Sequence, residues 1–269
     1  MDSTIIQKLD PVIDEVYKKT GISIQNFKPT FLERRIMYRM RSIGISDYEE
    51  YLRTLSSDFD EAKSLYAAFS INVTRFFRDP LVWEKLENEI LPNLVKNNEN
   101  PSIRAWSCGS ASGEEPHSIS ILLDEFSKSK IKYHVYATDI NNEGIIHSKK
   151  GIYEKTNLEN VSSSRMLKYF LKDENQKFNV KQEIKNKIEF EKIDMLKTNR
   201  KLFDIIFCRN VLIYYPKEVH QKIYEKFFEA LKPNGILILG QDESMRGTNG
   251  SNFFELLFPK ERIYQKISK

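Results

Sequence analysis

The chain has 269 residues, 40% hydrophobic and 30% charged, enough for one α/β core with room for a small second domain. Its formal net charge of +4 is mild, and lysines alternate with acids along most of the chain, so charge alone does not indicate nucleic acid. No apolar run approaches the roughly 18 residues of a membrane span, the N-terminus lacks the basic cap and apolar stretch of a signal peptide, and two cysteines, Cys108 and Cys208, are too few for a disulfide framework.

From Thr4 to about Ser70 the sequence reads as helix, broken at Phe27-Lys28-Pro29. Thr30 with Glu33 predicts a capping box for a helix running to Ser42, and Ser46 with Glu49 predicts another for the helix through Tyr51 and Leu55. At about 100° per residue, Arg34, Arg35, Arg39 and Arg41 fall on one half of the first of these helices and Leu32, Ile36, Met37 and Met40 on the other. The basic half is either a solvated face or a docking surface for an acidic partner.

After Pro101 strands alternate with helices. Ser102–Cys108, Tyr133–Thr138, Ile188–Ile193 and Phe203–Cys208 read as strands, the last nearly all apolar as in a sheet buried on both faces. Helices are expected over Glu114–Phe126 and Lys217–Leu231, the latter ended by Lys232-Pro233-Asn234-Gly235 before a strand at Ile236–Leu239. This is the rhythm of a parallel sheet with right-handed crossovers, with Phe258–Ile267 as a closing hairpin partner. Residues 151–187 break the rhythm; a helix at Ser162–Phe170 and an alternating Lys177–Lys181 suggest an inserted antiparallel β-subdomain. The expected division is a helical domain over 1–70, a linker and connecting helix over 71–101, and an α/β domain over 102–269.

Four strings carry chemistry. In WSCGSASGEEPHS (Trp106–Ser118) a strand enters a Gly-containing turn that opens a helix, which sets backbone N–H groups beside a ligand. Gly109 and Gly113 stand four apart with no third glycine, unlike the dinucleotide fingerprint, and Glu114-Glu115 would repel a pyrophosphate but suit a cationic amine; two such acids also simply complement a helix dipole. Asp139 ends the second strand, where an acid accepts ribose hydroxyls, caps the next helix, or does both. Arg209 and Asn210 in CRNVLIYY follow a buried strand, and Tyr214 either lies near the same cleft or packs elsewhere. In INVTRFFRDP (residues 71–80) Asn72 and Thr74 offer hydrogen bonds and Arg78 a carboxylate clamp, or the segment is a linker with two buried aromatics, Phe76 and Phe77.

Taken together, INVTRFFRDP, WSCGSASGEEPHS, ATDIN followed by GIY, FCRNVLIYY and LKPNGIL, in this order across essentially the whole chain, resemble the CheR-type chemotaxis methyltransferases. The resemblance implies a Rossmann-like class I S-adenosylmethionine methyltransferase sheet with an N-terminal all-α domain and a small antiparallel β-subdomain. It implies S-adenosylmethionine as cofactor and S-adenosylhomocysteine as product, with no metal. Asn72, Thr74, Arg78, Glu115, Asp139, Asp194, Met195, Arg209 and Asn210 would form the cofactor pocket, Glu115 at the methionine amine and Asp139 at the ribose. Arg78 and Tyr214 would lie nearest the transferred methyl and act as catalytic residues. The substrate implied is a glutamate side chain in the cytoplasmic helical region of a chemoreceptor, docked on Arg34, Arg35, Arg39 and Arg41 by a cytoplasmic monomer that is not membrane-embedded and does not act on nucleic acid. His117 stands where the family usually has Tyr, Cys108 where a smaller residue is normal, and Gln241-Asp242 replace a His and its neighbour. The rival readings are a methyltransferase for a non-receptor substrate and a cofactor-binding signalling or scaffold module. Arg209-Asn210-Val211-Leu212 lacks the Pro-Pro-aromatic run common in base amino-methyltransferases.

Overall fold

A computed structural model describes residues 2–69, 74–96, 102–127 and 131–267. The chain forms two compact units, one of residues 1–71 with 213–219 and one of residues 72–212 with 220–269.

The first unit is helical: α1 (Asp2–Thr20), α2 (Pro29–Ser42), α3 (Tyr48–Ser57) and α4 (Phe59–Phe69). The capping chemistry of α2 differs from the expected box. The helix starts at Pro29 behind Lys28, without a side-chain cap, because proline's fixed φ and missing N–H suit the first helical position. The α3 cap lies one residue beyond the expected Ser46, at Asp47, whose carboxylate accepts the Glu50 N–H. Leu32, Ile36 and Met40 of α2 are buried with Val12, Val16, Leu55 and Leu65, as the periodicity predicts, while Met37 remains partly exposed. The segment 213–219 packs here: Tyr214 lies 4.9 Å from Phe31 and Tyr215 4.9 Å from Phe27, ring to ring.

The second unit runs through α5 (Pro80–Lys85), a π turn at Leu86–Ile90, α6 (Leu91–Val95), β1 (Ser102–Cys108), α7 (Glu114–Ser127), β2 (Lys132–Asp139), α8 (Asn142–Lys150) and β3 (Ile152–Tyr153). It continues through α9 (Ser163–Tyr169), β4 (Phe170–Lys172), β5 (Phe178–Val180), α10 (Gln182–Lys185), β6 (Ile188–Lys192), β7 (Phe203–Cys208), α11 (Lys217–Ala230), β8 (Leu231–Leu239), β9 (Phe254–Phe258) and β10 (Ile263–Lys266). Seven strands form one sheet in the order β6-β2-β1-β7-β8-β10-β9, parallel except for the antiparallel pairing of β10 with both neighbours. The expected closing strand is thus a hairpin. On the face covered by α7 the core gathers Ile103, Ala105, Val135, Ile205, Phe207, Ile236 and Ile238 with Ile119, Leu122 and Leu123 of that helix. β3, β5 and β4 make a separate three-stranded antiparallel sheet within 152–180, the inserted β-subdomain that the broken rhythm predicts.

Candidate active site

The parallel strands end level. Pairing runs to Cys108 opposite Thr138, Asp139 opposite Lys192 and Cys208 opposite Leu239, so the segments that follow leave the sheet along one carboxyl edge. Such an edge is where open α/β sheets bind ligands. The segments beginning at Gly109, Asp139, Asp194, Arg209 and Gly240 all start there.

The Gly-rich turn is locked to its neighbour. Gly109 and Ser110 donate their N–H groups to the Thr138 carbonyl at 2.8 and 2.9 Å, and Ala111 donates to Asp139 Oδ2 at 2.8 Å. Asp139 Oδ1 accepts the Asn141 N–H at 2.7 Å, but the N-cap of α8 is Asn141 itself, bonded to Glu143. Gly113 has φ +97°, and a Cβ there would lie 2.7 Å from the Tyr153 hydroxyl, so the close approach of α8 and β3 requires glycine.

The adjacent acids of α7 part company. Glu114 turns into the protein, 1% exposed, accepting from Ser112 Oγ at 2.7 Å and Asn157 Nδ2 at 2.9 Å; burial pushes its carboxyl up to about 7. Glu115 turns to the strand edge, accepting from Ser107 Oγ at 2.8 Å and Arg209 Nη1 at 3.3 Å. Burial raises its carboxyl, opposed chiefly by the Arg209 charge. The Arg209 side chain is 2% exposed and also donates to Asp79 Oδ2 at 2.6 Å and to the Arg78 carbonyl at 2.9 Å. It is a buried cation held between two carboxylates.

That arrangement fixes Arg78. Its carbonyl also accepts from Trp83 Nε1 at 2.8 Å, and its neighbours Phe77 and Asp79 both adopt left-handed backbone, φ 50° and 57°. A non-glycine residue in that region costs on the order of 1–3 kcal/mol and persists only where its surroundings over-determine it. Ala111 (φ 48°) and Asn210 (φ 59°) add two more such residues at the same edge. The Asn210 N–H donates to Glu243 Oε2 at 2.9 Å and the Gly240 N–H to the same oxygen at 2.7 Å, so one 4% exposed carboxylate ties the ends of β7 and β8 together.

Of the remaining expected residues, Asp194 caps its own turn through the Leu196 N–H, Met195 is buried with its Sδ 3.2 Å from Cys108 Sγ, and Thr74 is half-buried. Asn72 lies outside the described residues. Tyr214 belongs to the helical unit, its ring tilted 40° against that of Phe31. In that unit Arg34 and Arg41 are exposed, and Arg34 and Arg35 lie over the Phe31 ring at 6.0 and 5.6 Å. Arg39 turns inward to Glu61, with its Nε 3.1 Å from Oε1, where Tyr51 also donates at 2.8 Å.

Sequence reasoning missed Asp79, Asn157 and Glu243. An Asp before Pro80 reads as a helix cap, yet Asp79 forms no cap bond and pairs with Arg209. Nothing in the spacing couples Glu243 to Asn210.

The residues suit S-adenosylmethionine. Two carboxylates raised by burial, Glu115 and Asp139, offer acceptors for an ammonium group and ribose hydroxyls. Ser110 Oγ is buried in the Gly-rich turn with no hydrogen-bond partner among the described residues. The sheet order with its antiparallel β10, the turn after β1 and the acid ending β2 define a class I S-adenosylmethionine-dependent methyltransferase. The model of the CheR methyltransferase SAM-binding domain matches residues 72–258, and that of the CheR all-alpha domain residues 7–70. The chain is 31% identical over 257 residues to a chemotaxis protein methyltransferase of Borreliella burgdorferi, covering 91% of each chain. It is 32% identical over 267 residues to chemotaxis protein methyltransferase 2 of Vibrio cholerae, covering 95% of this chain and 91% of that one, and 30% identical over 240 residues to the Escherichia coli chemotaxis protein methyltransferase, covering 85% and 81%. The protein therefore belongs to the CheR methyltransferase family.

Proposed function

We propose that this methyltransferase esterifies glutamate side chains in the cytoplasmic helical region of chemoreceptors, acting in the cytoplasm as a monomer. The observation that carries the reading is the Arg78 turn, strained on both sides and fixed through its carbonyl by Trp83 and the buried Arg209, because such a turn fixes the backbone from which a cation reaches the strand edge. No helix among the described residues is long and apolar enough to cross a membrane.

S-adenosylmethionine supplies an electrophilic methyl group. Thr74, Glu115, Asp139, Asp194, Met195 and Asn210 are proposed to hold it, with Asn72 by resemblance, and Arg209 to fix Glu115 and the Arg78 turn rather than to touch it. A glutamate carboxylate has an ordinary pKa of about 4.3 and is ionised near neutral pH, so no general base is needed. The protein's task is orientation and exclusion of water, worth roughly 7–11 kcal/mol of barrier in favourable cases. Arg78 is proposed to orient the carboxylate, and Tyr214 is kept as a catalytic candidate by resemblance alone. Arg34, Arg35 and Arg41 are proposed to dock the acidic receptor helix, with Arg39 committed to Glu61.

The test is incubation with methyl-labelled S-adenosylmethionine and a cytoplasmic receptor fragment, followed by mild base. Label on the receptor that base releases is the expected result. Label that resists base, or cofactor binding with no transfer to any receptor fragment, would overturn the substrate assignment.

A further inference from the structure

The segment after β3 grips two loops at once. The Phe76 N–H donates to the Asn157 carbonyl at 3.0 Å, on the approach to the Arg78 turn, while the Asn157 amide donates from Nδ2 to Glu114 Oε1 at 2.9 Å, in the first turn of α7. Its Oδ1 accepts the Glu154 N–H at 3.2 Å, which holds the side chain in place. Parallel links surround this one. Asn160 Nδ2 donates to the Phe77 carbonyl at 3.4 Å, and the Tyr153 hydroxyl donates to the Ser112 carbonyl at 2.8 Å. Glu114 is 1% exposed, so its carboxylate depends on Ser112 and Asn157 for hydrogen bonds.

We propose that Asn157 is a positioning residue for methyl transfer, fixing the first turn of α7 against the Arg78 turn so that Glu115 and Arg78 keep one geometry. The proposal rests on the site assignment above. A side chain one peptide from Glu115 controls its aim: when the Glu114 anchor loosens, the α7 terminus that carries Glu115 loosens with it. Displacements of about 1 Å at such a distance cost as much as 10²-fold in rate. Neither Asn157 nor Glu114 touches the reacting atoms in this scheme.

The experiment measures S-adenosylmethionine affinity by calorimetry and kcat at saturating cofactor, together with thermal stability. Asn157→Leu should weaken cofactor binding about tenfold and lower kcat. The swapped pair Glu114→Gln with Asn157→Asp reverses the direction of the bond. The amide now on α7 donates to the carboxylate across from it and still accepts from Ser112, so the pair should recover cofactor affinity to within threefold of wild type. A drop in melting temperature in Asn157→Leu with unchanged cofactor affinity and kcat would make the residue merely structural and overturn the proposal. A swapped pair as weak as Asn157→Leu would overturn it too. Glu115→Gln separates this from the site assignment. Wild-type cofactor affinity in that variant discards the assignment, whereas weakened Glu115→Gln beside unaffected Asn157→Leu discards the positioning role alone.

Discussion

Arg78 and Arg209 are 131 residues apart in sequence and joined through one carbonyl, yet their removal should read out differently. Arg209 bridges Glu115 and Asp79 with its own side chain 2% exposed. Arg209→Leu leaves both carboxylates unpaired and should cost about 3–5 kcal/mol, seen as a lowered denaturation midpoint. Arg78→Ala removes a half-buried side chain but leaves the carbonyl contacts in place, so the midpoint should fall less than in Arg209→Leu while turnover falls on the order of 10²-fold. Near-normal turnover in Arg78→Ala would remove it from the mechanism. His117 gives a pH signature. It is wholly buried, its Nδ1 2.8 Å from the Gly113 carbonyl, and burial lowers its pKa to about 4. A base whose pKa is depressed on folding contributes stability that is present above its unfolded pKa of about 6.5 and lost as pH falls towards 4. Relative to His117→Gln, wild type should lose about 2 kcal/mol between about pH 7 and pH 5; a difference between the two that does not vary with pH would show that His117 titrates normally. The string-by-string reading singled out Arg78, Glu115, Asp139 and Arg209 because each sits in a short local motif. Asp79, Asn157 and Glu243 were illegible because their work is done on partners 33 to 130 residues away.

At the scale of the element, α2 joins two roles that sequence periodicity places together. The four arginines share one half of the helix, but the other helices decide what each does. Arg39 meets Glu61 of α4, itself 5% exposed, so Arg39→Met should destabilise the helical unit by about 1–3 kcal/mol. Arg34 and Arg41 have no such partner acid among the described residues, and the double variant Arg34→Glu with Arg41→Glu should leave the melting temperature alone while weakening receptor-fragment binding tenfold or more. Equal receptor affinity in that variant would return the stripe to a solvated face. The parallel sheet was legible because strands buried on both faces read as apolar runs between helices. Cap positions were not. Whether Thr30 or Lys28 opens α2 turns on the backbone of Pro29, and whether Ser46 or Asp47 opens α3 turns on one residue of phase, which local pattern does not resolve.

For the whole molecule, the charge distribution sets up the last prediction. Residues 28–42 hold five cations and one acid, an excess as large as the net +4 of the entire chain, so the remainder is neutral on balance. Long-range attraction for an acidic partner therefore originates in α2 and the residue before it. Exposed charges are screened over about 10 Å at 0.1 M salt and about 3 Å at 1 M, whereas buried pairs are screened far less. The proposed cofactor contacts lie with the buried Arg209–Glu115–Asp79 set, and the proposed receptor contacts lie on the exposed Arg34 and Arg41 and the half-buried Arg35. Raising salt from about 50 mM to 500 mM should weaken binding of a receptor fragment by tenfold or more, mostly through the association rate, while S-adenosylmethionine affinity changes less than twofold. Titration calorimetry for the cofactor and stopped-flow association for the receptor fragment would show the separation. Cofactor binding that weakens in step with receptor binding would mean that the cofactor's charge is read by exposed groups rather than by Glu115, and a receptor association rate indifferent to salt would mean that α2 does not steer it.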